Sequence, residues 1–285
     1  MPRPILTPPP RPFLKWAGGK RQLLPVLRAH LPANWQTLRY YEPFLGAGAL
    51  LFSLSPRRAV VNDANQQLIQ TYQALKQSCE EVIALLEEHR EYHCQEYYYQ
   101  IREMDRDSGF EALPAAVKAA RLIYLNKTCF NGLYRVNKKG LFNVPMGAYK
   151  NPMICDENNL KAVSEKLQRV TIVCGDYRKS EDFIDENTFV YFDPPYRPIT
   201  DTASFTAYTE NLFDDEEQIE LARFVDAMHR KGAKVVISNS DPKNSNTEDD
   251  FFDNIYSAHK IKRVEATRMI NCNSEARGKI KELLI

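Results

Sequence analysis

Short apolar runs near both ends of the chain are bounded by turn residues, and such runs predict strands, of which those at 38–41 and 59–62 are expected to be buried. They lie at 38–41, 59–62, 170–174, 188–192 and 234–238, with a closing pair at 255–264 and 279–285. Segments with apolar residues at helical spacing separate them, beginning near the glycines at 45–48, near Asp63 and near Asp215. Strands that alternate with helices predict an α/β fold with a doubly wound sheet.

This alternation stops between residues 69 and 164. Here the pattern predicts helices over 79–105 and 114–127, a loop at 106–109, and a hairpin or ordered loop at 133–150. We therefore predict three regions along the chain. They are a flexible tail at 1–12, a sheet domain formed by 13–68 and 165–285, and an inserted, mainly helical domain at 69–164.

Composition narrows the class of protein. The 285 residues are 44% hydrophobic and 26% charged, as in soluble globular proteins, and the net charge is only +1. Affinity for nucleic acid would therefore depend on local basic surfaces. Two stretches without Asp or Glu, 1–41 and 121–150, carry several Lys and Arg residues. They are either solvated faces or a surface that follows a phosphate backbone.

The six cysteines show no paired metal-binding spacing, which predicts a reduced, cytoplasmic protein. His89 and His93 lie four residues apart, but no obvious third ligand accompanies them, so we predict no metal site. No apolar run is long enough to span a bilayer, and the first residues lack the apolar core of a signal peptide.

The tetrapeptide Asp193-Pro194-Pro195-Tyr196 directly follows the apolar run 188–192. A carboxylate, a rigid diproline and an aromatic ring at a strand end can hold a flat, weakly nucleophilic amino group such as N6 of adenine. Asp193 and the Pro194 carbonyl could accept its two N–H bonds, while Tyr196 supplies a stacking face worth about 1–3 kcal/mol for a base. The motif predicts an amino-group methyltransferase.

Glycines and carboxylates at strand ends indicate a nucleotide-like cofactor. Gly46 and Gly48 follow the strand at 38–41 and would let a ligand approach the backbone, or would mark only a tight turn. Asp63 could accept hydrogen bonds from both ribose hydroxyls, cap the helix that follows it, or do both. Asp176 follows another strand and is placed to meet an adenine edge.

The segment 13–20 combines Trp16, two glycines and Lys20. Trp16 could be a core residue and the glycines a turn. The same residues could instead provide a flat apolar wall, an open backbone and a cation for the carboxylate of an amino-acid-like cofactor.

These motifs belong to seven blocks that together resemble the Dam-type DNA adenine-N6 methyltransferases, closest to the DpnII-type enzymes of restriction–modification systems. The blocks are FLKWAGGKRQLLP, YEPFLGAGALLF, VVNDAN, FNGLYRVNKKGLFNVPMGAYKNP, VYFDPPYRP, VVISNS and RGKI. The resemblance implies a Rossmann-like methyltransferase sheet with an inserted target-recognition region. It also implies S-adenosylmethionine as methyl donor and double-stranded GATC as substrate.

The resemblance assigns roles to individual residues, and Asp193, Pro194 and Tyr196 would hold the flipped adenine. The cofactor would be surrounded by Trp16, Lys20, Phe44, Gly46, Gly48, Asp63, Asp176 and Asp193. The DNA would be contacted by Lys15, Phe130, Asn131, Leu133, Arg135, Pro145 and Tyr149. Among these, Lys15 and Arg135 would read guanines, while Phe130 would wedge into the duplex.

Several alternatives stay open at this point. Phe130, Leu133 and Tyr149 could be core residues, and Arg135 could be a phosphate clamp. The segment 125–128 resembles the Dam branch more than the DpnII branch. Related tetrapeptides also occur in enzymes that methylate cytosine N4, RNA or protein, and a catalytically silent DNA-binding module is a further alternative. A cognate restriction endonuclease, mismatch repair and gene regulation are all compatible biological settings.

Overall fold

A computed structural model describes residues 9–197, 213–267 and 279–285 of the chain. Most of the predicted tail, together with Cys272 and Arg277, lies outside these ranges.

Within the described residues, seven strands form a mixed sheet with the order β3-β2-β1-β4-β5-β7-β6. The strands are β1 (Arg39–Glu42), β2 (Ala59–Asp63), β3 (Val170–Cys174), β4 (Thr188–Phe192), β5 (Lys234–Ser240), β6 (Lys262–Thr267) and β7 (Lys279–Leu284). β4 pairs in parallel with β1 and β5, whereas β7 pairs in antiparallel fashion with β5 and β6. The predicted α/β class is confirmed.

Among the described residues, the α-helices lie before β1, between several of the strands and over most of the region 66–167. They are α1 (Leu24–Ala29), α2 (Ala49–Leu54), α3 (Gln66–Gln77), α4 (Cys79–Glu91), α5 (Gln95–Glu103), α6 (Ala115–Thr128), α7 (Glu157–Leu167), α8 (Asp215–Arg230) and α9 (Phe251–Ile255). The predicted interruption of the strand–helix alternation by helices is therefore present.

Three features of this order differ from the prediction. The expected helix 79–105 is divided into α4 and α5, because Cys94 adopts an extended backbone and its sulfur accepts a hydrogen bond from the Tyr97 amide at 3.4 Å. α1 and α7 are absent from the prediction. β6 begins at Lys262 rather than at residue 255, since residues 251–255 form α9.

The chain folds into two compact units. The first comprises residues 1–19, 45–57 and 61–175, and the second comprises 20–44, 58–60 and 176–285. This division groups residues 45–57 and 61–68 with the helical region, whereas the predicted boundary at residue 69 assigns them to the sheet domain.

Each unit has an apolar core of its own. In the first unit α3 packs against α6 and α7, and α4 packs against α6, which buries Leu68, Leu86 and Val163. In the second unit β4 lies between β1 and β5, and all five of its residues are buried. A parallel strand covered on both faces needs a continuous apolar run, which explains the sequence of β4.

The two histidines considered as metal ligands hydrogen-bond to tyrosines in the first unit. His89 Nδ1 lies 2.8 Å from the Tyr97 hydroxyl, and His93 Nδ1 lies 2.9 Å from the Tyr124 hydroxyl. Burial lowers the pKa of His89 to about 4. Across the described ranges, no three His, Cys, Asp or Glu side chains are grouped to hold a metal ion, and no helix is long and apolar enough to cross a membrane.

Candidate functional site

Asp193 lies at the carboxyl end of β4 in the second unit. The parallel register pairs Phe192 of β4 with Ile237 of β5, so the next residues, Asp193 and Ser238, are neighbours. The Ser238 hydroxyl donates a hydrogen bond to Asp193 Oδ1 at 3.0 Å. The predicted catalytic carboxylate therefore stands at the sheet edge where open α/β sheets bind ligands.

An ion pair controls the charge of Asp193. Lys20 Nζ lies 2.8 Å from Asp193 Oδ1, and the two side chains are only 5% and 19% exposed. Burial raises the pKa of Asp193 above its usual range, while the Lys20 ammonium and the Ser238 hydroxyl oppose this rise. Both partners thus favour the ionised carboxylate, the form that accepts hydrogen bonds.

The backbone beyond Asp193 is held by polar side chains that the sequence analysis did not single out. Gln218 Nε2 donates to the Pro195 carbonyl at 3.0 Å. Arg197 forms ion pairs with Asp215 at 2.6 Å and with Asp249 at 2.7 Å. These contacts anchor the tetrapeptide on its carboxyl side, and no local motif in the sequence marks them.

Tyr196 is held at both its hydroxyl and its ring. The hydroxyl donates to Glu282 Oε2 at 2.7 Å, and Lys20 Nζ lies 4.4 Å from the ring centroid. Burial is the largest cause that raises the pKa of Tyr196 well above its ordinary value, so the hydroxyl stays protonated. Lys20, Asp193 and Tyr196, all predicted from the sequence, are brought together in the second unit.

Phe44 and Asp176, two further predicted cofactor residues, also lie in the second unit. The Phe44 ring lies 5.3 Å from Tyr177 and 5.7 Å from Phe213, measured between centroids. Asp176 Oδ1 accepts the Arg178 amide at 2.8 Å, and its Oδ2 pairs with the Arg178 guanidinium at 2.8 Å. Asp176 therefore caps the short helix 177–183, and its side chain remains 48% exposed.

The predicted glycine turn lies in the first unit. Gly46 and Gly48 adopt φ values of 48° and 67°, a left-handed region that disfavours other residues. Asp63 accepts the Gly46 amide at Oδ2 and the Asn65 amide at Oδ1, each at 2.9 Å. Burial raises the pKa of Asp63, and the two amide donors oppose this effect. α3 is capped by Asn65, so the alternative role of Asp63 as the helix cap is not realised.

Trp16 completes this part of the first unit. It is half-buried and stacks on Tyr134, with ring centroids 4.9 Å apart and an interplanar angle of 26°. A Cβ atom added to Gly46 would lie 3.2 Å from Trp16 Cδ1. The first unit thus brings together four predicted cofactor residues, Trp16, Gly46, Gly48 and Asp63.

All seven residues predicted to contact DNA lie in the first unit, and all are exposed. The exposed fractions of Phe130, Leu133 and Tyr149 are 53%, 39% and 36%. The alternative that these three side chains belong to the core is therefore wrong. Exposed apolar side chains grouped in one segment are typical of a binding surface.

Asn126 forms hydrogen bonds that hold Lys15 next to this surface. The Asn126 side-chain amide accepts from the Lys15 amide and donates to the Lys15 carbonyl, both at 2.8 Å, and it also donates to the Gly132 carbonyl at 3.0 Å. The Lys15 side chain passes close to Gly132, so a Cβ atom added to Gly132 would lie 2.3 Å from Lys15 Cδ. Lys15 Nζ donates a hydrogen bond to the Tyr149 hydroxyl at 3.2 Å. Asn126 was not predicted, although it lies in the segment 125–128 that resembles the Dam branch.

Arg135 lies on a hairpin whose two sides pair between Val136 and Phe142. Its Nε donates to Asn143 Oδ1 at 2.8 Å, which orients the exposed guanidinium. Asn131 adopts φ 57°, a left-handed conformation that Asn tolerates better than most residues. The Phe130 amide donates to the Pro145 carbonyl at 2.9 Å, so two more predicted residues adjoin each other.

Comparisons with known proteins identify relatives along nearly the whole chain. A family model described as D12 class N6 adenine-specific DNA methyltransferase matches residues 16–270. The type II methyltransferase M.MjaIII of Methanocaldococcus jannaschii is 43% identical, with 96% of this chain and 98% of that protein covered. The type II methyltransferase M1.LlaDCHI of Lactococcus lactis is 40% identical, with coverages of 96% and 94%. A DNA adenine methylase of Escherichia coli is 36% identical, with coverages of 96% and 94%.

Proposed function

The chain belongs to the D12 class of N6 adenine-specific DNA methyltransferases, and on this basis we propose that its substrate is adenine in double-stranded GATC. The methyl donor is S-adenosylmethionine, and the adenine leaves the duplex for a direct in-line transfer. The observation that carries the proposal is the Asp193 corner, in which Lys20 and Ser238 hold a buried carboxylate beside a fixed aromatic ring.

Asp193 and Pro194 orient the target amine. S-adenosylmethionine, when bound, supplies an electrophilic methyl group, so the protein needs no covalent intermediate. An Asp193 oxygen and the Pro194 carbonyl accept the two N6 hydrogens, which directs the nitrogen lone pair along the line of transfer. As the bond to N6 forms, the bond between the methyl group and sulfur breaks, and S-adenosylhomocysteine would be left as a neutral thioether. Asp193 stabilises the positive charge on N6, and the surplus proton then passes to water. Positioning of this kind supplies on the order of 7–11 kcal/mol.

Tyr196 supplies the stacking face for the extruded base. Glu282 and Lys20 fix the ring before the base arrives, so less side-chain freedom is lost on binding. Stacking offsets part of the few kcal/mol that flipping a base costs.

The residues that would hold the cofactor are distributed over both units. In the first unit Gly46 and Gly48 hold the turn in its left-handed conformation, and Asp63 has oxygen lone pairs left for ribose hydroxyls. In the second unit Phe44 and Asp176 would contact the adenine ring.

Sequence recognition is assigned to the exposed surface of the first unit. Arg135 and Lys15 read guanines, since an arginine can donate two bonds to guanine O6 and N7. Leu133 and Pro145 touch thymine methyl groups, and Phe130 fills the space left in the duplex. The remaining two residues, Asn131 and Tyr149, contact base edges or backbone. Exposure of all seven side chains supports this assignment.

The biological setting proposed is a restriction–modification system with an endonuclease that cuts the same site. Two similar proteins carry the name type II methyltransferase, which supports this setting. Relatives named DNA adenine methylase make repair or regulation the competing settings.

A labelled-methyl assay tests the proposed reaction. The protein and labelled S-adenosylmethionine are incubated with a duplex holding one GATC site, with the same duplex carrying GCGC instead, and with an RNA of equal length. Digestion to nucleosides should release labelled N6-methyl-2′-deoxyadenosine from the first duplex, and no labelled nucleoside from the second duplex or the RNA. Asp193→Ala should abolish the label while DNA affinity, measured by fluorescence anisotropy, stays largely intact.

Each other outcome contradicts a stated part of the proposal. Label in N4-methylcytosine would make the enzyme a cytosine methyltransferase, and equal label in duplexes without GATC would refute the target sequence. A variant Asp193→Ala that still turns over would refute the role of the carboxylate.

A further inference from the structure

A buried network of charged side chains lies next to the Arg135 hairpin in the first unit. Asp105 Oδ2 and Arg121 Nη2 form an ion pair at 2.9 Å, and their side chains are only 3% and 2% exposed. Arg106 makes a second ion pair with Asp105. Buried ion pairs contribute little net stability compared with apolar residues of similar volume, so their position suggests another role.

This network holds both polar groups of a single residue of the hairpin. Asp105 Oδ2 accepts the Phe142 amide at 2.8 Å. Arg106 Nη2 donates to the Phe142 carbonyl, also at 2.8 Å. The Phe142 side chain is buried, so this residue is fixed at three points.

The network is itself anchored to the helices of the first unit. Arg121, on α6, donates to the Ile101 carbonyl at 2.8 Å and to the Arg102 carbonyl at 2.7 Å, both at the end of α5. The Arg121 guanidinium lies 5.0 Å from the centroid of the Phe110 ring. The N–H donors of the Arg121 guanidinium lie in one rigid plane. Because they bind both the end of α5 and Asp105, the position of Asp105 is set by α5 and α6 together.

Phe142 is linked directly to the proposed base reader. It pairs with Val136, the residue after Arg135. The next residue, Asn143, donates its amide to the Arg135 carbonyl at 3.2 Å and accepts from Arg135 Nε at 2.8 Å. A shift of the Phe142 backbone would therefore move both the backbone and the guanidinium of Arg135.

We infer that Asp105, Arg106 and Arg121 are positioning residues for DNA specificity, acting by holding the Phe142 backbone and thereby placing Arg135 in register with one base pair. The inference rests on the proposed base contact of Arg135. A bidentate base contact needs two atoms placed together, so a small displacement of the hairpin weakens discrimination more than overall DNA affinity.

Two matched double variants test the acceptor of the Phe142 amide. Asp105→Leu with Arg121→Met removes both charges and the acceptor, whereas Asp105→Asn with Arg121→Met removes the charges and keeps an acceptor oxygen. Leu and Asn have similar shapes. Discrimination is measured as the ratio of kcat/KM for GATC to kcat/KM for a duplex changed at the Arg135 base pair. The ratio should fall about fivefold to a hundredfold in the Leu variant, within the range of one bidentate contact, and should fall less in the Asn variant, which loses Arg121 but keeps the acceptor of the Phe142 amide.

A third variant covers the case in which the double variants do not fold. Arg106→Ala removes the donor to the Phe142 carbonyl together with the ion pairs of Arg106 with Asp105 and Glu103, and it affects a side chain that is 28% exposed. It should also lower the ratio, by about tenfold or less. Arg90→Ala is the control, because Arg90 pairs with Glu87 on the surface of α4 and is 60% exposed. Its ratio should equal that of the unaltered protein.

The outcomes separate this inference from the function on which it rests. Discrimination retained by Arg106→Ala and by the folded Leu variant would overturn the positioning role while leaving the proposed base contact intact. If Arg135→Ala itself left discrimination unchanged, the base contact and the positioning role would both be refuted. Equal losses in the Leu and Asn variants would show that charge, rather than the Phe142 contact, matters, and would also overturn the inference.

Discussion

Replacement of Gly48 by alanine should destabilise the protein through two separable effects. The backbone at Gly48 has φ 67° and ψ 34°, a left-handed conformation that costs a residue with a Cβ atom about 1–2 kcal/mol. The added Cβ would also lie 3.0 Å from the Tyr72 hydroxyl and 3.1 Å from Phe52 Cε2. Forcing a methyl group into such a packed site costs about 1–3 kcal/mol more. The expected loss in free energy of unfolding is therefore about 2–5 kcal/mol.

Gly140 provides a matched control for the backbone effect alone. Its φ is 74°, but no described atom lies within 4 Å of an added Cβ. Gly140→Ala should therefore lose only the conformational cost of about 1–2 kcal/mol. The difference between the two losses in free energy of unfolding is therefore the packing cost at Gly48, in the turn that we propose to bind the cofactor.

Urea denaturation followed by circular dichroism measures both losses. Isothermal titration with S-adenosylmethionine then measures whether the turn matters to the cofactor, because the Tyr72 hydroxyl also donates to the Gly46 carbonyl at 3.1 Å. Affinity should fall in Gly48→Ala and stay unchanged in Gly140→Ala. Equal stability of the two variants would refute the packing argument, and unchanged affinity in Gly48→Ala would refute the proposed cofactor contact.

Three further predictions concern catalysis, DNA and pH. Lys20→Met removes a charge that opposes the raised pKa of Asp193. The acid limb of a kcat–pH profile, measured at saturating cofactor, should therefore move to higher pH. An unmoved limb would contradict the role of this ion pair. Phe130→Ala should change the free energy of unfolding by no more than about 0.5 kcal/mol, because the ring is exposed, yet abolish the fluorescence rise of a 2-aminopurine placed at the target adenine. His89 has a pKa lowered from 6.5 to about 4 by burial, so the folded state binds fewer protons than the unfolded state between these values. Its contribution to stability is present above pH 6.5 and should fall by up to about 3 kcal/mol as the pH drops towards 4. In His89→Gln the slope of stability against pH should be shallower over this window, and an equal slope would show that other groups cause it.

Elements with strong local patterns were predicted well. β3 and β4 occupy the predicted residues, since a short run of apolar and β-branched residues between turns has few other structures available. α7 also carried a readable signal, with Leu160, Val163 and Leu167 at helical spacing after a capping Asp156. The prediction assigns no element to 157–167, although this capped apolar pattern is typical of a helix. The division of α4 from α5 had a weaker signal, since a cysteine is an uncommon helix cap.

The amino-acid sequence by itself determined the alternating elements, the place of Asp193 at a strand end, the turn at Gly46 and Gly48, and the family. Each depends on residues within a few positions of one another, where backbone preference and hydrophobic period act. Only the tertiary structure decided that Ser238 contacts Asp193, that Glu282 contacts Tyr196 and that Asp105 holds the Phe142 backbone. These partners lie 45, 86 and 37 positions apart in sequence, and their meeting depends on strand order, register and helix packing, which no local pattern encodes.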